Sequence, residues 1–254
     1  MYKIVAGLNE GEDDYAFVFE QKTFQNVFPS IVKIVSDNDV GETAPDVTHP
    51  PLELGGIVAI PGNFFAGFNI ENKREIMFSD VGLIYSYPLE YRHSTGDENV
   101  VRLVSMGNSL VALTNDKPLF FSGASPESMI MTPTSTHAPL ISRRGVTKIG
   151  NVCLFASDDG IYSVQFGGET QGAVNQTAQW FDRIAWRKLN PDSCFFAAFN
   201  NVLYAWFPDA EDPKMRNHKY VFGEGLSTLT THDESAVAVV TIPDKGVVAL
   251  RVGG

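Results

Sequence analysis

The chain has 254 residues, 30 acidic against 19 basic side chains, a formal net charge of −11 and a hydrophobic content of 44%. That length allows one large domain or two ordinary ones with a sizeable core, and the apolar content excludes wholesale disorder. The acidic balance has the wrong sign for gripping phosphate backbones by counterion release, or for docking on an anionic membrane face. The 18 Phe, 8 Tyr and 3 Trp, set among 22 Gly and 14 Pro, favour many short strands over long helices.

Residues 2–8 and 15–19 read as a hairpin turning through NEGEDD. The acidic cluster Glu10, Glu12, Asp13 and Asp14 comes too early for the apolar core of a secretory signal, so synthesis in the cytoplasm is expected. No stretch reaches the roughly 18 apolar residues of a membrane span, and no membrane insertion is predicted. Residues 37–51, DNDVGETAPDVTHPP, read as a loop or linker.

From residue 57 a pattern recurs. GIVAIPGNFFAGFN is followed by EIMFSD, VVRLVSMGNSLVALTN by PLFFSG, GVTKIGNVCLFASDDG by IYSVQF, and CFFAAFNNVLYAWFPD by KYVFGE. Each unit is an apolar strand, a Gly-Asn or Asn-Asn pair, a second apolar strand, a loop and a third strand. Gly62-Asn63, Gly107-Asn108, Gly150-Asn151 and Asn200-Asn201 can take the positive φ of a two-residue hairpin turn. The turn residues Asn63, Asn108, Asn151 and Asn201 lie 45, 43 and 50 residues apart. A period of about 40–50 residues carrying three or four strands is that of a β-propeller blade, which buries its faces only against neighbours.

Residues 177–188, TAQWFDRIAWRK, form the one helix candidate, with Trp180, Ile184 and Lys188 at i, i+4 spacing. Residues 209–218 read as a polar hairpin tip, and a fainter hairpin spans Val237 to Val252 across PDKG. The prediction is an all-β propeller of about five blades (range four to six). It is a single domain over 1–254, with strands of 1–36 placed to close the ring.

Candidate chemistry is sparse. The histidines His49, His93, His137, His218 and His232 have no ligand spacing and read as solvated loop residues, so no metal site is predicted. Cys153 and Cys194 lie in apolar runs and read as buried thiols. Asp80, Glu127, Asp158 and Asp159 sit near strand ends, and a glycosidase would need such carboxylates in a pair. Ser157–Phe166 looks a little like the aspartate box of sialidases, but it is one residue short before the glycine and lacks the closing Thr-Trp. Turn capping explains these aspartates, and neither an enzyme nor a cofactor is predicted. Arg143-Arg144, an adjacent basic pair, reads as an ion-pairing element inside or between subunits. Glu127, in Ser-Pro-Glu-Ser, reads as an acceptor at a blade junction.

The strings SLVALTNDKPLFFSGASPESM, ISRRGVTKIGNVCLFASDDGIYSV and LNPDSCFFAAFNNVLYAWF resemble β-propeller-bearing structural proteins of tailed bacteriophages, similar to the nozzle or tail-tube proteins of short-tailed phages. The resemblance covers about residues 57–207 and rests on the order of the pieces. It implies a virion structural component that contacts other tail or adaptor proteins and forms a homo-oligomer, a hexamer in the nozzle group. DNA would be transiting cargo, not a specific ligand, and acidic walls would repel it in passage. Glu127, Arg143 and Arg144 are the candidate interface residues. The alternative is a free-standing propeller that binds a glycan or protein through its axial loops.

Overall fold

A computed structural model describes residues 2–6, 15–19, 54–165, 172–221, 228–232, 236–242 and 246–250. Contacts group the chain into two units, Met1–Thr48 and His49–Gly254. In the first, β1 (Tyr2–Ala6) pairs antiparallel with β2 (Tyr15–Phe19), as the sequence suggests. The rest of segment 1–36, expected to close the ring, and the expected linker 37–51 lie outside the described residues.

The second unit is a succession of antiparallel meanders. The first joins β3 (Leu54–Ile60), β4 (Phe64–Asn69), β5 (Glu75–Phe78) and β6 (Arg92–Ser94) in chain order. The second joins β7 (Val100–Met106), β8 (Ser109–Thr114), β9 (Leu119–Ser122) and β10 (Ile130–Pro133). The third joins β11 (Val146–Ile149), β12 (Val152–Ser157), β13 (Gly160–Gln165) and β14 (Ala173–Asn175). After helix α1 (Arg183–Arg187) comes the fourth, of β15 (Phe195–Phe199), β16 (Val202–Trp206), β17 (Asn217–Val221) and β18 (Thr228–Thr231). The hairpin β19 (Ala238–Ile242) and β20 (Gly246–Leu250) follows, where the faint last repeat is expected.

The packing makes this a β-propeller. All six residues of β8 are buried, because its two faces serve different cores. Leu110 and Ala112 join Phe64, Phe68 and Phe78 of the first sheet, whereas Val111 and Leu113 join Val146, Phe155 and Val164 of the third. The same period-two division recurs in β12, where Cys153 and Phe155 face the second sheet while Leu154 and Ala156 face Phe196, Leu203 and Ala205 of the fourth. Each side chain of this size contributes about 1.5–3 kcal/mol on burial, so a sheet inserted between two neighbours gains on both faces. First strands also meet one another: β3 lies against β7, β11 against β15, and β15 against β19.

The four Asn-bearing turns join the first and second strands of their sheets. Their conformations differ from expectation in two ways. The first turn has three residues, Pro61 to Asn63, between Ile60 and Phe64. Asn108 and Asn151 are not left-handed; Gly107 (φ 59°) and Gly150 (φ 55°) take the positive φ alone, the φ pattern of a II′ turn. Asn200 (φ 49°) and Asn201 (φ 60°) are both left-handed, as a I′ turn requires, and in the three-residue first turn Gly62 (φ 106°) and Asn63 (φ 63°) both take positive φ.

The helix is shorter than its pattern suggests. Thr177 is held in a turn, its backbone N–H and hydroxyl both donating to Asn175 Oδ1 at 2.8 and 3.1 Å, and the helix starts only at the Asp182 cap, which accepts from Ala185 N. Left-handed Asn190 and Pro191 then stop the chain from continuing helical. Trp186 anchors α1: it is fully buried, packs edge-on against Phe207 and donates from Nε1 to Ser157 O at 2.8 Å. Among the described residues no helix is long and apolar enough to cross a membrane.

Candidate interaction surface

Two built features stand out on the second unit, a braced apolar loop and a cluster of arginines where first strands meet. The loop runs from Asp80 to Tyr91 between β5 and β6. Its start is fixed by Ser86, whose hydroxyl donates to Asp80 Oδ2, and by an isolated bridge between Asp80 and Leu83. Gly82, at φ 78°, donates its N–H to Asn63 O at 2.6 Å, so the Asn63 turn holds the loop in place. Tyr87 is fully buried, and burial pushes its hydroxyl up to about 12. Its carbonyl accepts from Arg92 Nη2 at 3.1 Å. With polar and aromatic groups turned inward, the loop exposes Val81 (54%), Ile84 (48%) and Leu89 (67%).

Tyr91 ends the loop and crosses to the second sheet, its hydroxyl donating to Glu127 Oε1 at 3.3 Å. Glu127 therefore stands at a sheet junction, with a tyrosine hydroxyl rather than a backbone amide as the donor from the neighbouring sheet. The Ser125 hydroxyl, Glu127's own amide and Tyr91 hold its carboxyl below the usual range. The Ser-Pro-Glu-Ser turn is closed by Ser128 Oγ, which accepts from the Ala124 and Ser125 amides at 3.0 Å. Gly123 is required there, since a Cβ would lie 2.6 Å from Ser128 O.

Arg143 and Arg144 precede β11, on a segment clamped to the fourth sheet. Ser142 Oγ donates to Cys194 O at 2.6 Å, Phe196 N donates to Arg144 O at 3.1 Å, and Gly145 allows Cys194 Sγ to approach where a Cβ would stand. The Arg144 guanidinium lies 5.0 Å from the centre of the Phe195 ring and donates to Val237 O at 3.3 Å. Arg102, on β7, donates to the Arg143 carbonyl. Within the chain, neither Arg143 nor Arg144 forms an ion pair among the described residues. Arg102 lay outside the sequence argument, although an arginine inside the apolar strand VVRLVSM is itself a signal.

The remaining candidates are structural in their surroundings. Asp158 pairs with Arg183 at 3.0 Å, and the Asp159 carbonyl accepts from Asn175 Nδ2 at 3.2 Å in the β12–β13 turn. Cys153 and Cys194 are buried free thiols, each pushed up to about 12 by desolvation. Among the described residues no three His, Cys, Asp or Glu side chains converge to hold a metal. His218 is not a loop residue: it lies on β17, fully buried, stacked on Phe181 and bonded through Nδ1 to Tyr220 Oη at 2.7 Å. Nor is residues 209–218 a simple tip, since Ala210 packs in the core and a 3-10 turn runs from Pro213 to Met215.

No family model and no curated protein matches the chain. Several solved structures are similar in shape. The fission yeast SREBP–SCAP binding-domain complex is 11% identical, with 91% of this chain and 64% of that chain covered and a TM-score of 0.47. Hsv2 of Kluyveromyces lactis is 10% identical, with 91% and 70% covered and a TM-score of 0.42. The N-terminal domain of Nup159 is 9% identical, with 72% and 44% covered and a TM-score of 0.42. The chain thus spans less than half of the Nup159 domain and less than two thirds of the fission yeast chain.

Proposed function

We propose that this propeller is a structural assembly protein, working through contacts with copies of itself and with neighbouring proteins, and that its place is a bacteriophage tail. The observation that carries the assembly role is the Asp80–Tyr91 loop, which is fixed by buried side chains and presents Val81, Ile84 and Leu89 to solvent. A pre-set loop binds without the cost of ordering, and its three exposed aliphatic side chains offer apolar area to bury in a contact. The tail location is supported by the sequence resemblance over residues 57–207, in which Ser-Pro-Glu-Ser and Arg143-Arg144 appear in order. In this reading the β19–β20 pair counts as the fifth of about five blades, the ring is a homo-oligomer, and DNA passes as cargo without sequence readout. Mass spectra of purified virions from the phage that encodes the chain test the assignment. The protein is expected among the structural proteins at a copy number fitting a ring, and its absence from the particles overturns the tail role.

A further inference from the structure

The cavity where the first strands meet carries a chemistry the assembly role does not use. It measures about 200 Å³ and is lined by Arg102 of β7, Arg144 and Val146, Phe195 and Phe196 of β15, and Ala238 and Val239 of β19. That is below the roughly 300–1,000 Å³ of ordinary ligand pockets, so it suits an ion or the end group of a larger molecule. Two guanidiniums line it, and a third arginine, Arg143, adjoins them through its carbonyl. On a chain of 30 acidic residues, none of the three pairs with a carboxylate among the described residues.

We infer that this cavity is a phosphoryl-binding site, in which Arg102 and Arg144 together grip the oxygens of one phosphate group. Both guanidiniums keep donors to spare. Arg102 gives one bond to the Arg143 carbonyl, and Arg144 gives one to Val237 O with its face on Phe195. A guanidinium stacked on an aromatic ring has its planar edge left for forked bonding to an oxyanion. Phe195, Phe196 and Val146 are buried and apolar, which lowers the local dielectric and strengthens the attraction. Burial, followed by the neighbouring Arg143 charge, already depresses the Arg102 pKa, so an anion there would relieve an uncompensated cation. The overall charge of −11 opposes anions, but at ordinary ionic strength exposed charges more than about 10 Å from the cavity are largely screened.

The test is calorimetric titration of inorganic phosphate, and separately phenyl phosphate, into the full chain, with sodium chloride holding ionic strength constant. Saturable one-site binding is expected, weakened about tenfold in R144Q by loss of a charge-assisted pair of bonds. Binding should be lost in A238E, which sets a carboxylate at the cavity wall where Ala238 is exposed. A238E decides the matter should R144Q fail to fold. Binding of both compounds means that the site accepts a phosphoryl end group, and binding of phosphate alone means that it takes the free ion. No saturable binding to the wild type, or equal affinity in A238E, overturns the proposal.

Discussion

Gly107 and Asn108 share one hairpin turn, yet only the glycine is left-handed, at φ 59°. A Cβ at Gly107 would meet nothing within 4 Å, so any cost of Gly107→Ala is purely conformational. The left-handed region costs an L-residue roughly 1–2 kcal/mol, and urea unfolding of G107A should show a loss of that size. N108A, at an exposed position without positive φ, should stay within about 0.5 kcal/mol of wild type. The order reverses at the fourth turn, where Asn201 has φ 60° and N201A should lose roughly 1 kcal/mol. Equal losses for G107A and N108A would show that the glycine does not carry the strain of this turn. The sequence marks all four corners because Gly and Asn are the residues that tolerate positive φ. It does not say which of the pair adopts it, since that depends on the twist of the strands the turn must join.

At the scale of elements, strands with two buried faces are the most legible, because SLVALT and VCLFAS are apolar without alternation through their interior positions and so fit neither a helix stripe nor a half-exposed strand. β17 is the opposite case. Its residues, NHKYV, look like the end of a polar loop, and His218 is buried among Phe181, from a distant segment, Phe207 and Tyr220. That burial has a consequence with a definite sign. Desolvation, with a smaller push from the charge of His232, lowers the His218 pKa from its ordinary 6.5 to about 4. The unfolded chain therefore binds the proton first. The neutral histidine's contribution is complete above about pH 6.5 and is lost as pH falls toward 4, at up to about 1.4 kcal/mol per pH unit. Urea midpoints should fall between pH 7 and pH 5 in the wild type, and fall less in H218Q. Parallel pH profiles for the two proteins would assign the acid sensitivity to other groups.

At the scale of the molecule, every four-stranded sheet shares a core with the next, so the apolar side chains left over become informative. Interior positions are spent on inter-sheet packing, as Leu110 and Val111 show on the two faces of one strand. Leu89, 67% exposed, has no such duty, and neither does Ile130 on the outer strand β10, at 66%. A charge at Leu89 should therefore leave the fold alone, within about 0.5 kcal/mol, while placing an unpaired carboxylate in any apolar contact the loop makes, at a cost of several kcal/mol if it is buried there. Light scattering over a range of concentrations should show ring-sized species for the wild type. L89E should scatter as a monomer with an unchanged melting temperature. A wild type that is monomeric at every concentration would remove self-assembly from the proposed role and favour a free-standing binding propeller. An L89E that assembles normally would move the subunit contact away from this loop, toward the outer strands that carry Ile130 and Val174.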